Sequence, residues 1–292
     1  MQIGIGEIYS VGAAASWGLA VVMYMRLGQS VPPVALSLLK NLIVFGLMLP
    51  TVWIVHGLTL PHFEWWTFAL TVLSGVLGIA VADTMFFRAL NVLGAGRTGI
   101  IGNLFSPFVI VLSMLFLGER LSLMQFWGFL LVMIGVVLVN QRQAAEVLSP
   151  AALKRGLAYG IGAIFLSATG IVMVKPVLER EPFFWVALVR LSAALIPMLW
   201  LWRVLPAHHR VPSLRALPWP LLLAGAFFGQ YLAMLLWLAG YKYTQASIAS
   251  VLNETASIFI LIFAYIFLQE RLSPRKLFGV MCTLCGVAVM LL

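Results

Sequence analysis

The sequence predicts an all-α integral membrane protein of about ten transmembrane helices, arranged as two inverted-topology five-helix repeats. Three observations carry that prediction. Of the 292 residues, 63% are hydrophobic and only 9% charged, with a mean hydropathy of +1.06. Soluble domains carry about 25% charged residues, and a chain this poor in charge has too little polar surface to face water. Its apolar residues gather in stretches of about 20, the length that crosses a hydrocarbon core, without the roughly ten-residue alternation of a membrane β-barrel. Finally, the second half repeats the first: Glu119-Arg120-Leu121-Ser122 recurs 151 residues later as Glu270-Arg271-Leu272-Ser273.

Taken in order, the first span covers 7–27. Met1 to Gly12 lacks a basic leader and Glu7 stands where a leader's apolar region would begin, so this helix is expected to be retained. Pro33, at a first helical position, opens the second span, 33–55. The third, 65–90, begins after Pro61 and stops before Gly94-Ala95-Gly96; the fourth and fifth cover 97–117 and 122–140. The polar connection Gln141 to Arg155 separates a first domain, 1–145, from a second, 146–292. The second half then gives 154–175, 182–202, 217–241, 245–268 and 274–292, with Pro182 and Pro274 as helix starters. Pro107 and Pro197 fall inside spans and are expected to interrupt them, freeing carbonyls that must face a cavity or a polar group.

The repeat register is continuous from the third span of each half. It aligns Gly78 with Gly229, Ser106 with Ser257, Phe108 with Phe259, Gly128 with Gly279 and Gly135-Val136 with Gly286-Val287. A shift of 150 aligns Pro32 with Pro182 and Lys40 with Arg190. Five spans is an odd number, so the second half enters the membrane from the opposite side. Such inverted repeats build a site near the midplane that opens alternately to either side.

Leu117-Gly118-Glu119-Arg120-Leu121 and Leu268-Gln269-Glu270-Arg271-Leu272, each just before the last span of its half, resemble the signature of the EamA repeat of the drug/metabolite transporter superfamily. Ser16-Trp17-Gly18, Phe87 to Asn91 and Ala239 to Ser247 resemble that repeat as well, so the likeness covers nearly the whole chain. Two positions depart from it: Gln269 where glycine is usual, and Ile258 opposite Pro107. The resemblance implies a secondary transporter of the bacterial inner membrane, most like amino-acid exporters and particularly aromatic amino-acid exporters. It implies no cofactor.

The absences agree with a transporter. The net charge of +9 comes from scattered cations near span ends, as membrane anchoring requires, and no basic run suggests nucleic acid. No phosphate loop, metalloprotease motif or nucleophile elbow occurs, so no catalytic residue is expected. Cys282-x-x-Cys285 has too few companions to bind zinc, and His208-His209 falls in a loop, so no metal site is expected. The expected partners are a small-molecule substrate and the bilayer, and a monomer suffices.

Ionisable groups inside the membrane cost from roughly 2.5 kcal/mol upward unless a cavity or partner receives them. Lys40, Asp83, Arg190 and Glu254 stand away from span ends. Ser247, Ser250, Glu254 and Ser257 share one helical face, matched in the first half by Gly96, Gly99, Asn103 and Ser106. Either this stripe packs helices closely or Asn103 and Glu254 line a cavity. Lys40 and Arg190 either neutralise a substrate carboxylate or snorkel. Asp83 either carries a coupled proton, as Glu254 could, or pairs statically with Lys40 or Arg88. Trp17 and Tyr24, seven apart on one face, and Gln230 and Tyr231 add aromatic and hydrogen-bonding surface for an amphipathic substrate. The substrate-binding set is therefore Trp17, Tyr24, Lys40, Asn103, Arg190, Gln230, Tyr231 and Glu254. Multidrug or lipophilic-cation export on the same fold, with a carboxylate as counter-ion, is the alternative; an intramembrane lipid-modifying enzyme using Glu254 and Asp83 is a third. Twelve loop cations lie opposite the termini and four beside them, which places the termini outside by the positive-inside rule, whereas the resemblance implies cytoplasmic termini.

Overall fold

The computed structural model describes residues 4–28, 30–57, 59, 61–140, 149–204, 217–269 and 273–292. Within these the chain forms ten helices: α1 (Ile5–Leu27), α2 (Pro33–His56), α3 (Trp65–Gly94), α4 (Arg97–Phe116), α5 (Leu123–Asn140), α6 (Pro150–Arg180), α7 (Phe183–Val204), α8 (Trp219–Tyr243), α9 (Ala246–Phe267) and α10 (Pro274–Met290). Eight are long and apolar enough to cross a bilayer; α5 is a shorter apolar helix, and α10 has 17 residues. The chain is an all-α, multi-pass membrane protein.

Local chemistry explains the ends. Ser149 and Ser273 accept the amides of Ala152 and Lys276, both at 3.3 Å, and each is followed by proline at the first helical position. Ser122 and Gln125 cap α5 reciprocally, at 2.9 and 3.2 Å. α6 is 31 residues long, reaching beyond both ends of the expected 154–175. Its Ser-Pro cap starts it before the charged Lys154-Arg155 pair, and its last turns carry Lys175, Glu179 and Arg180. The α3–α4 connection turns at Gly94, whose φ of +78° suits glycine.

Pro197 does not interrupt α7, which runs continuously from Phe183 to Val204. α4 breaks at Asn103-Leu104, one turn before Pro107, where the missing amide leaves the Asn103 carbonyl without its helical donor. Proline is not the whole cause. α9 breaks at the equivalent Glu254-Thr255 although Ile258 keeps its amide, which bonds the Thr255 carbonyl at 2.9 Å in a tighter turn.

The main contacts of α1 and α6 recur in each half: α1 packs on α8 and α9 as α6 packs on α3 and α4. α2 meets α7, α4 meets α9 and α5 meets α10 across the axis itself. The last crossing shows its direction. A methyl on Gly128 would lie 2.7 Å from the Gly286 carbonyl, and one on Gly279 would lie 2.7 Å from that of Gly135. Gly128 aligns with Gly279 and Gly135 with Gly286, so exchanging the halves maps this crossing onto itself. The two helices run antiparallel through it. The two-fold axis is therefore perpendicular to the helices, the geometry of an inverted repeat. Four glycines permit this approach because nothing larger than hydrogen fits between the backbones.

Both third helices of the repeat contain a π-helical turn, Val76–Val81 in α3 and Phe227–Leu232 in α8, again 151 residues apart. No sequence pattern announced them. Such turns insert one extra residue and re-aim the side chains around it.

Candidate functional site

A cavity of about 320 Å³ lies among α1, α2, α3 and α6. Trp17, Tyr24, Ser37, Lys40, Asp83 and Ser167 give it its chemistry, and Leu36, Phe86 and Ala163 are among its apolar walls. It runs from mid-helix Trp17 and Ser167 toward Tyr24 at the end of α1 and Leu36 at the start of α2, hence toward the face opposite the termini. Trp17 is 38% exposed and forms part of the cavity wall.

The π turns position the polar groups. Asp83 lies two residues after the α3 turn and receives the Ser37 hydroxyl at 3.4 Å. Gln230 lies within the α8 turn, and its side-chain oxygen accepts the Lys40 ammonium at 3.1 Å. The same ammonium stands 5.9 Å from the Trp17 ring centre and 6.0 Å from that of Tyr24, and those two rings meet edge to face at 6.1 Å. Tyr24 is pinned by its hydroxyl, which donates to the Gly225 carbonyl at 2.7 Å. No ion pair joins Lys40 to Asp83, and Arg88 stacks over Tyr159 at 5.7 Å. One cavity thus presents a cation, a carboxylate and an aromatic wall, with the two charges apart.

The repeat supplies an internal comparison. Leu36, Ser37, Lys40, Ala82 and Ala163 correspond to Val186, Ala187, Arg190, Ala233 and Ala13. The first set lines the cavity; the second is buried and packed. The same architecture is hollow at one end and filled at the other.

Four predicted residues lie elsewhere. Arg190 is buried at the filled end, its guanidinium 5.4 Å from the Trp237 ring centre. Tyr231 stacks on Phe227 at 5.6 Å and shares a 2.6 Å hydrogen bond with Thr51, a packing role. Asn103 and Glu254 occupy the equivalent breaks of α4 and α9. There the Ser106 hydroxyl lies 2.6 Å from the Glu254 carboxylate and 3.1 Å from the Ser250 carbonyl. Ser106 therefore joins α4 to α9 through Glu254 and Ser250, whereas a methyl on Gly99 would meet nothing within 4 Å. Asn103 and Glu254 are outside the cavity lining.

The filled end is also clamped. Glu119 accepts the amides of Ala246 and Ser247 at 2.7 and 2.9 Å and the Ser247 hydroxyl at 2.6 Å, capping α9. Lys175 donates to the carbonyls of Tyr241 and Thr244 at 2.9 and 2.8 Å, and the Thr244 hydroxyl donates to Glu7 at 2.6 Å. Met25 and Leu157 stand at the positions equivalent to Lys175 and Glu7, so those two arms of the clamp exist at one end only. Glu270, the counterpart of Glu119, lies outside the described residues, as do His208 and His209.

Ser37 and Phe86 were missed as site residues, although each lies three positions from a flagged charge, Lys40 or Asp83, on the same helical face. Ser167 carried no signal except its register with Trp17, 150 residues earlier. Among the described residues no group of three His, Cys, Asp or Glu side chains could hold a metal.

The sequence profile of the EamA-like transporter family matches residues 4–141 and 154–292. The chain belongs to that family. An uncharacterized transporter of Synechocystis sp. is 25% identical over 279 residues, covering 84% of this chain and 72% of that protein. An uncharacterized transporter of Archaeoglobus fulgidus is 23% identical over 283 residues, 94% of each chain. A crystal structure of a protein 19% identical superposes with a TM-score of 0.81 over 97% of this chain and 94% of that one, showing a shared fold. As an EamA-like transporter the protein moves a small molecule through the bilayer, and the cavity offers charged groups to one.

Proposed function

We propose that the protein exports amino acids, aromatic ones among them, and related small metabolites across the bacterial inner membrane, by alternating access between repeats spanning 1–145 and 146–292. One observation carries the reading: Lys40 and Asp83 face the same cavity without pairing to each other. Each is bonded only to a neutral side chain, Gln230 or Ser37, so the two charges suit a ligand with the opposite pair, and a zwitterionic amino acid has them. Its carboxylate would meet Lys40, its ammonium Asp83, and an aromatic side chain the Trp17 and Tyr24 rings. A lipophilic cation would match Asp83 and the rings but would be repelled by Lys40. Because one chain encloses the whole cavity, a monomer suffices. Glu254, a carboxylate at a helix break bonded by a hydroxyl, is the proposed proton-coupling group, which leaves Asp83 free for substrate.

Counterflow in proteoliposomes tests this. Vesicles loaded with unlabelled phenylalanine should transiently accumulate radiolabelled phenylalanine, and external tetraphenylphosphonium should not compete. Competition by that cation, with no counterflow of any of the twenty amino acids, would favour a lipophilic-cation exporter.

A further inference from the structure

Arg190 occupies the place in the second repeat that Lys40 occupies in the first, yet the two are in opposite situations. Lys40 faces the cavity and is bonded to Gln230. Arg190 is 4% exposed; among the described residues no carboxylate lies within ion-pair distance of it and its Nε has no hydrogen-bond partner. A guanidinium buried in mid-membrane without an acidic partner is an expensive arrangement. Cation–π contact with Trp237 at 5.4 Å offsets only part of that cost. Trp237 in turn is the repeat counterpart of Phe86, a cavity-wall residue. The hydroxyl of Tyr241, wholly buried and 5.0 Å ring to ring from Trp237, is likewise unbonded.

The guanidinium also lies just beneath the cavity floor. A methyl on Gly78 would sit 3.4 Å from an Arg190 terminal nitrogen. The carbonyl of that same Gly78 accepts the hydroxyl of Ser167, which lines the cavity, at 3.4 Å. One glycine in the α3 π turn therefore separates the cavity from the second buried cation.

We propose that Arg190 is the anion-binding group of the opposite-facing state: when the filled end opens and the present cavity closes, the substrate carboxylate is bound by Arg190 as Lys40 binds it here. Arg190 is parked on Trp237 in this state, as Lys40 would be parked against Phe86 in the other. This rests on the substrate reading above and adds to it that the site has two cations, each serving one face of the membrane.

The test is side-specific kinetics of phenylalanine exchange in membrane vesicles of both orientations, with K40Q and R190Q compared. K40Q should raise KM about tenfold or more from the cavity-facing side, and R190Q should do so from the other side. Equilibrium binding of phenylalanine to detergent-solubilised R190Q should stay within about twofold of the unaltered protein, because that protein rests in the present state. R190Q that exchanges with unchanged KM from both sides, or that loses binding in parallel with K40Q, overturns the proposal. Should R190Q fail to fold, R190K decides: it keeps the charge but loses the planar fork, so a KM raised from one side supports the assignment and one raised from neither refutes it. An unaltered protein that exchanges no amino acid would instead remove the substrate reading on which the proposal stands.

Discussion

The Lys40 ammonium, in the first repeat, is held 3.1 Å from the side-chain oxygen of Gln230, in the second. The bond joins the two halves at the cavity wall, so rocking one half against the other must break or re-form it. Gln230 reaches Lys40 because it lies in the α8 π turn; an unbroken α-helix would rotate it by roughly a third of a turn at that point. In the proposed cycle the group that binds the substrate carboxylate, Lys40, is also a contact between the repeats.

Loss of the Lys40 charge should be felt first in affinity. K40Q removes the cavity's ammonium, and a hydrogen bond to a charged group is worth about 1.5–3 kcal/mol, so phenylalanine binding should weaken about 10- to 150-fold. Isothermal titration in detergent would show it. K40R should retain part of the affinity.

Asp83 is assigned to the substrate ammonium, which gives a ligand-dependent prediction. D83N should weaken phenylalanine binding about tenfold or more, while leaving N-acetylphenylalanine, which has no ammonium, bound equally by both proteins. Parallel binding measurements with the two ligands decide this, and an equal loss for both would remove the assignment.

Glu254 hydrogen-bonds to Ser106 and is outside the cavity lining. E254Q keeps a hydrogen-bonding side chain but cannot carry a proton. Phenylalanine counterflow, which needs no driving ion, should continue, whereas accumulation driven by an imposed pH gradient should fall to background. Unchanged gradient-driven transport would show that coupling lies elsewhere.

The α9 cap should contribute stability. E119Q removes the charge from three hydrogen bonds that Ala246 and Ser247 donate. Losing a cap costs about 0.5–2 kcal/mol, so the apparent melting temperature in detergent should drop by about 1–4 °C.

Glycines differ in what they tolerate. G135V would drive a side chain into the α10 backbone and should cost about 1–3 kcal/mol or prevent folding, visible as a lost monodisperse peak. Nothing lies within 4 Å of a methyl at Gly46, so G46A should be neutral or slightly stabilising.

Much of this fold was legible in the chain because membrane insertion makes composition speak directly: spans, caps and the repeat register all appear as local patterns. The charged Glu119 to Ser122 block stood out because so few charges surround it. The site was legible in part. Trp17, Tyr24, Lys40, Asp83 and Gln230 do converge, since each is an unusual residue in mid-span. The joint site expected to include Asn103 and Glu254 did not appear, because a polar stripe on one helix looks the same whether it meets water or a partner helix. Only the α4–α9 packing distinguishes them. The π turns left no pattern, whereas the difference between the two ends has a trace in the chain: Lys175 and Glu7 clamp one end, and Met25 and Leu157 stand at the equivalent positions of the other.

In the proposed cycle the hollow and filled ends exchange. Leu36 and Val186 are equivalent positions, one lining the cavity and the other buried at the closed end. With Cys282 and Cys285 replaced by alanine, L36C and V186C can each be probed in vesicles with a membrane-impermeant thiol reagent. L36C should react from one face of the membrane and V186C, during phenylalanine exchange, from the opposite face. Reaction of both from the same face, or V186C remaining unreactive throughout sustained exchange, would contradict the account.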